Sequence, residues 1–323
     1  MPDTMQLAVV TIGRNEGERL RRCLQSVPAG IAIVYVDSGS NDGSVNLAQN
    51  LNAEVVQLDL ARPFTAARAR NEGLSRVLER WPDTRLVQFV DGDCEIERGW
   101  IGRASAFLCE NPAAGAVCGR RRERHPSASY YNGLCDREWD TPVGEAQSCG
   151  GDVLIRVDAL RDVGGYDPTL TAGEEPELCA RLRSRGWTIW RLDAPMTIHD
   201  AAMYRFRQWW LRAMRSGYGY AQVWHKTACS PHSSALYTRE LARAFGWTAG
   251  VLILGLLLFA VIGAAGVGLA ALIWIAQFAK LSYSNGARTA AHLMLGKWAE
   301  SLGALKYGRA RLHGRRENAI FYK

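Results

Sequence analysis

Three polar clusters near the start of the chain hold groups able to do chemistry: Thr11–Glu16, Asp37–Ser44 and Asp91–Asp93. Asp91-Gly92-Asp93 sets two carboxylates two residues apart, with Gly92 leaving room for a ligand. Carboxylate oxygens suit Mg²⁺ or Mn²⁺, and those ions suit a diphosphate. By itself the triplet reads more readily as a solvated turn. Asp37-Ser38-Gly39-Ser40-Asn41-Asp42-Gly43-Ser44 offers acceptors and hydroxyls that fit a base and a ribose, and it is also an ordinary turn composition. Arg70 stands near the start of a helical stretch, and reads equally as a guanidinium for a phosphate or as an ordinary surface arginine. Glu174 and Glu175 are a second acidic pair, fit either for proton abstraction or for the first turn of a helix. His199 follows a strand-like segment and is a candidate ligand or a structural imidazole.

The segments between these clusters have the pattern needed to bring them together. Leu7–Ile12, Ile31–Val36, Ala53–Leu60 and Leu86–Val90 are apolar runs of strand length. Helical stretches at Glu16–Ser26 and Arg68–Arg80 separate them. Strands alternating with helices predict an α/β domain with a mixed, mostly parallel sheet flanked by helices. Ligands bind beyond the carboxyl ends of such strands, which is where all three clusters fall. Neither a G-x-G-x-x-G nor a G-x-x-x-x-G-K-[ST] is present, which disfavours dinucleotide and P-loop sites.

The chain has 323 residues, 48% of them hydrophobic, enough for a substantial core. Eight cysteines without a C-x-x-C argue for reduced thiols and against a structural zinc site. The net charge of +7 is local: from Lys280 onward, four Lys and five Arg face two acidic residues, and the rest is neutral. That distribution excludes a nucleic-acid-binding body. No charge occurs between Arg243 and Lys280. As one helix this stretch would exceed the ~30 Å hydrocarbon core of a bilayer. A hairpin broken near Gly263–Gly268, with limbs of about 15 residues, fits a short transmembrane pair or a re-entrant one. Met1–Ile12 lacks the basic start and long apolar region of a signal peptide, so the N-terminal part is expected in the cytosol. Met203–Tyr220 reads as a basic aromatic helix for a headgroup interface, with Arg205, Arg212 and Arg215 on one flank. Lys306, Arg309, Arg311, Arg315 and Arg316 are expected to face anionic lipid. The expected divisions are 1–202 catalytic, 203–243 interfacial, 244–280 hydrophobic hairpin and 281–323 basic tail.

Taken in order, Thr11–Glu16, Val36–Ser44, Ala69–Gly73, Val90–Asp93, Gly150–Asp152, Leu160–Asp167 and Gly173–Leu178 with Arg181 and Gly186 resemble the signature of family 2 glycosyltransferases of GT-A fold. The resemblance covers roughly residues 5–200. It implies inverting transfer from a nucleotide-diphosphate sugar, with Mn²⁺ or Mg²⁺ as cofactor. Asp37 would contact the nucleobase, with Thr11, Arg14, Glu16 and the Ser38-Gly39-Ser40 turn lining the donor pocket. Arg70 would lie near the nucleotide, Asp91 would face ribose or sugar, and Asp93 would ligate the metal, with His199 on the metal or diphosphate. Gly150, Gly151 and Asp152 would border donor sugar and acceptor. The family has Glu-Asp where this chain has Glu174-Glu175, and the second acid is the general base, which designates Glu175. Its extra methylene either moves the acceptor outward or passes the role to Glu174. The expected acceptor is a hydroxyl of a lipid-linked or membrane glycan at the cytosolic face of the inner or plasma membrane. The alternatives are a polyprenyl-phosphate acceptor and a nucleotide-sugar-binding scaffold without turnover.

Overall fold

A computed structural model describes residues 6–228 and 235–314. The chain divides into two compact units, with the boundary between Arg205 and Phe206. The first unit begins with β1 (Leu7–Gly13), α1 (Glu18–Ser26), β2 (Ala32–Asp37), α2 (Ser44–Asn50), β3 (Glu54–Gln57), α3 (Ala66–Arg80) and β4 (Leu86–Asp91). It continues with β5 (Cys94–Ile96), α4 (Trp100–Glu110), β6 (Ala114–Glu123), α5 (Tyr130–Glu138), β7 (Gly144–Glu145), β8 (Val153–Arg156), α6 (Val157–Val163), α7 (Glu174–Ser184) and β9 (Thr188–His199).

The sheet order is β3-β2-β1-β4-β8-β6-β9-β5, with β7 paired to β9. β3, β2, β1 and β4 are mutually parallel, as are β6 and β9; β8 runs antiparallel to both β4 and β6. Ala8, Val9 and Val10 of β1 are wholly buried, as a central strand covered on both faces requires. Registry sets Gly13 beside Asp37 and Ile12 beside Asp91, so the strand-end residues form one row. Thr65 caps α3 by accepting the Arg68 amide at 3.0 Å. A Cβ on Gly73 would stand 2.3 Å from Val10 Cγ1, so α3 presses directly on β1. Asn71 pins the turn before α7: its amide donates to Tyr166 O at 2.7 Å and its carbonyl accepts the Tyr166 N–H at 2.9 Å.

β9 runs to His199, beyond the Trp187–Leu192 segment legible as a strand. Pro195 lies where the β6 register shifts, an irregularity that accommodates a residue without an amide donor. His199 is therefore inside a strand rather than after one.

The second unit contains α8 (Phe206–Ala228), α9 (Thr238–Phe245), a π turn (Gly246–Gly250), α10 (Val251–Ile262), α11 (Ala264–Asn285) and α12 (Ala287–Leu312). α8 starts after Met203, which is buried in the first unit and whose N–H donates to Asn132 at 2.9 Å. Gly217 and Gly303 admit α12 against α8: a Cβ at either would stand 2.0 Å from the backbone oxygen of Glu300 or Met214. Gly263, at φ +63°, makes the break between the apolar limbs. The limbs Thr238–Ile262 and Ala264–Asn285 have 25 and 22 residues, longer than the charge-free run implied, because the helices continue through polar sequence. Both are long and apolar enough to cross a membrane. Arg315 and Arg316 lie outside the described residues.

Candidate active site

The row of strand ends is organised by carboxylates and two guanidiniums. Asp37 is buried at the end of β2. Its Oδ1 accepts the Tyr35 hydroxyl at 3.0 Å, and its Oδ2 accepts the Gly39 and Ser40 amides at 2.9 Å. Burial, then the Asp37 charge, pushes the Tyr35 phenol far above its ordinary value and keeps it a neutral donor. Asn15 ties this turn to the β1 loop: its N–H donates to Ser40 Oγ, and its Oδ1 accepts the Asn41 N–H, both at 2.8 Å. Arg14 lies 5.8 Å over the Phe64 ring, and Glu16 pairs with Arg19 at 2.8 Å.

Two motif residues pack rather than face a ligand. Thr11 is fully buried, with its hydroxyl 3.8 Å from the Cys23 thiol of α1, so its side chain lies in the core beneath the strand end. A Cβ on Gly92 would stand 3.1 Å from Ile12 O, so the space it leaves is filled by β1 and not by ligand.

Arg70 is the centre of the arrangement. It is 2% exposed. Its Nη1 lies 3.0 Å from Glu174 Oε1 and 3.1 Å from Glu175 Oε1, and its Nη2 lies 3.1 Å from Asp91 Oδ1. One guanidinium from α3 thus joins the end of β4 to the start of α7. Burial, then the adjacent Glu174 charge, raises the Glu175 carboxyl to about 7, against the opposing pull of Arg70. Gly151 covers this hub: a Cβ there would stand 2.3 Å from Arg70 Nη2 and 3.2 Å from both Asp91 Oδ2 and Glu175 Oε1. Gly151→Ala should therefore displace the Arg70 guanidinium and lower activity more than it lowers the thermal midpoint. Overpacking of this kind costs about 1–3 kcal/mol. Parallel rate and unfolding measurements on that variant check it.

Asp152 is wholly buried and acts on Asp91 from behind. Its Oδ1 accepts the Asp91 N–H at 3.1 Å, and its Oδ2 accepts the Thr197 hydroxyl at 2.6 Å. Arg121 donates to the same Oδ2, with Nε at 2.9 Å, and its Nη2 lies 3.5 Å from Asp91 Oδ2. Arg121 also lies 5.5 Å over the ring of Trp139. Asp93 Oδ2 is 3.3 Å from His199 Nε2, and β5–β9 pairing holds the two together. His199 Nδ1 faces Glu123 Oε2 at 3.7 Å without a hydrogen bond, and the imidazole and Trp139 rings meet edge to face with centroids 4.7 Å apart. Asp93, Cys94 and His199 offer donor atoms within 4.8 Å of one another. A buried carboxylate and imidazole facing each other fit a divalent cation of the Mn²⁺ or Mg²⁺ kind.

Arg121, Glu123, Trp139 and Tyr35 belong to the site and are not singled out by sequence. Arg121 sits in the run Arg120–Arg124, which in sequence reads as a solvated charge run or, less readily, as a contact for a phosphate-bearing acceptor. In the structure Arg120 pairs with Asp136 and Asp140, Arg124 pairs with Glu95, and Arg121 faces the site.

A parallel-stranded half-sheet with acidic groups at its carboxyl edge, continued by an antiparallel strand, is the plan of a GT-A glycosyltransferase. Residues 8–211 match the family described as Glycosyl transferase family 2, and the chain belongs to that family. It is 27% identical over 215 residues to the pre-mycofactocin glycosyltransferase of Mycobacterium tuberculosis, covering 62% of this chain and 43% of that protein. It is 26% identical over 192 residues to the succinoglycan biosynthesis protein ExoA of Rhizobium meliloti, covering 56% and 57%. The chain thus spans about half the length of these curated relatives. Among solved structures, a mannosyltransferase of Pyrobaculum calidifontis in complex with GDP-Man and Mn²⁺ aligns with TM-score 0.64 and 18% identity, over 94% of this chain and 88% of that one. TarS residues 1–349 of S. aureus aligns with TM-score 0.53 and 15% identity, over 97% and 93%. At these identities the likeness is one of fold.

Proposed function

We propose that this glycosyltransferase moves a sugar from a nucleotide-diphosphate donor to an acceptor hydroxyl, with inversion at the anomeric carbon. The observation that carries the reading is the Arg70 hub, which holds Glu175 beside Asp91 with its carboxyl raised to about 7. Inversion needs an acceptor hydroxyl attacking in line while a carboxylate takes its proton. Glu175 is that base: its Oε1 is anchored on Arg70, and its side chain is 16% exposed against 5% for Glu174. Glu174 is the more buried anchor, and its charge adds to burial in raising the Glu175 carboxyl. Asp37, oriented by Tyr35 and the Gly39 and Ser40 amides, receives the nucleobase, with Arg14 and Phe64 at its side. Asp91, fixed by Arg70, Arg121 and Asp152, faces the ribose or donor sugar. Asp93 and His199 would hold Mn²⁺ or Mg²⁺, which when bound offsets charge on the departing diphosphate.

The raised base favours a hydroxyl acceptor over a polyprenyl phosphate, which is already anionic and needs no proton abstraction. The catalytic relatives favour turnover over a nucleotide-sugar-binding scaffold. A relative named for succinoglycan biosynthesis supports a glycan acceptor. The apolar limbs support attachment to a membrane; in this reading that is the inner or plasma membrane, with lipids as partners, the site on its cytosolic face and a lipid-linked acceptor. Nucleic acid has no role in this reading.

Titration of UDP, GDP, dTDP and CDP by calorimetry in mild detergent, with and without Mn²⁺, tests the donor site. One diphosphate should bind, and Mn²⁺ should tighten it. Asp93→Ala should remove at least about tenfold of that tightening, as loss of metal-site partners generally does. Binding of none of the four, or binding indifferent to Mn²⁺ in the folded protein, overturns the assignment.

A further inference from the structure

The second unit has an apolar projection whose reach can be measured against a polar level. Thr248, in the π turn, is buried and lies 3.0 Å from the Ser301 hydroxyl of α12. Next to Ser301, Glu300 pairs with Lys297 at 2.8 Å, and Lys306, Arg309 and Arg311 follow on the same helix. Such a helix belongs at the headgroups and not in hydrocarbon. Trp274 of α11 is at the level of the π turn, because its indole N–H donates to Trp247 O at 3.0 Å. Tryptophans gather at that interface as well.

From the π turn the chain runs on through α10 and returns along the first part of α11 to Trp274. α10 has 12 residues, a length of about 18 Å. Ala264–Ile273 adds ten on the return, about 15 Å. Half of a hydrocarbon core is about 15 Å. The limbs pack on each other: a Cβ on Gly266 would stand 2.3 Å from the Leu258 carbonyl carbon. Leu252, Leu256, Leu257, Phe259 and Val261 point away from the protein, with Val261 80% exposed. The tip from Phe259 to Val267 contains no polar side chain. Its turn is the single residue Gly263, whose N–H donates to Phe259 O at 2.8 Å and whose carbonyl accepts the Gly266 N–H at 3.0 Å. Both amide groups of Gly263 itself are thus paired within the hairpin, as backbone at membrane depth requires.

We propose that residues 251–273 form a re-entrant hairpin that enters one leaflet and returns, with Gly263 near the bilayer centre, and that its occupant is the acyl-chain layer of that leaflet. Both limbs then start and finish on the same face, and the tip never meets the opposite aqueous phase. This rests on the reading that the limbs enter a membrane at all.

Spin labels on full-length Val261→Cys and Tyr283→Cys variants, with Cys109 and Cys229 replaced by Ser, test it in phosphatidylethanolamine–phosphatidylglycerol vesicles. Collision with oxygen and with a water-soluble nickel chelate is read at each site. The tip label should be open to oxygen, shielded from nickel and deepest, while the label at Tyr283, at the base of α11, should be open to nickel. A tip label open to nickel in membranes that retain the protein through an alkaline carbonate wash means that the tip emerges, and overturns the re-entrant geometry. Shielding from both reagents means that a second copy covers the tip, and overturns the lipid occupant. Release by carbonate instead removes the membrane reading itself.

Discussion

Glu175→Gln should lower the transfer rate by about 10²–10⁴-fold, the usual contribution of a positioned general base, and leave nucleotide-diphosphate affinity near that of the unaltered protein. Glutamine keeps the shape and cannot accept the proton. With the proposed role, the rate of the unaltered enzyme should climb about tenfold per pH unit below pH 7 and level off above it, because a carboxylate base works only when ionised and the Glu175 carboxyl is raised to about 7. The Gln variant should lose that slope. The sign for stability is opposite. A carboxyl raised in the folded state contributes stability below its ordinary value, and this is lost as pH rises through about 7. At pH 8 the Gln variant should therefore unfold at or above the temperature of the unaltered protein. A rate loss with a retained thermal midpoint separates a missing base from a damaged fold. Glu174→Gln reproducing the full rate loss, with Glu175→Gln active, would transfer the role to Glu174.

Arg70→Met is expected to have the larger effect on the fold. Three carboxylates converge on this guanidinium: Glu174, Glu175 and Asp91. Their charges hold it protonated against its burial. Removing one partner of a buried ion cluster typically costs about 3–5 kcal/mol, because the remaining charges stay desolvated. Here the abandoned groups are acids, so they can take up protons. The loss should be greatest near pH 8 and smaller near pH 5, where neutral carboxyls need no counter-ion. Thermal unfolding at the two pH values, in the detergent used for purification, makes the comparison. Equal losses at both would mean that the acids find other partners. Arg70→Lys should recover stability in part and activity poorly, since an ammonium is a point charge and cannot hold carboxylates on both arms of a fork.

The half of the site built by parallel strands is legible in sequence, because apolar runs followed by polar clusters predict the carboxyl ends of β1, β2 and β4. Asp37, Asp91 and Glu175 are found that way or through the motif order. The other half is not, because β6, β8 and β9 come together from distant segments. Arg121 looks like one charge among five until strand pairing selects it. Trp139 has no local pattern and enters through its contacts with Arg121 and His199. Thr11 and Gly92 show the converse: they stand in motifs and act by packing the strand ends. The apolar limbs were legible as a hairpin with its turn at a glycine, but their length was not, because helix continues through charged residues at both bases.

The absent side chain of Gly73 has a consequence for how the site responds to charge. With no Cβ, α3 seats on Val10 of β1, and Arg70 lies one turn earlier on the same helix. The guanidinium is thus carried by the most enclosed part of the sheet and fixed at its far end by three acids. Its dipole and charge are aimed before any substrate arrives. In the proposed transfer a solvent cage would have to rotate as the acceptor proton shifts and the sugar–phosphate bond lengthens; this framework would not. The reorganisation energy of that step was spent when the chain folded.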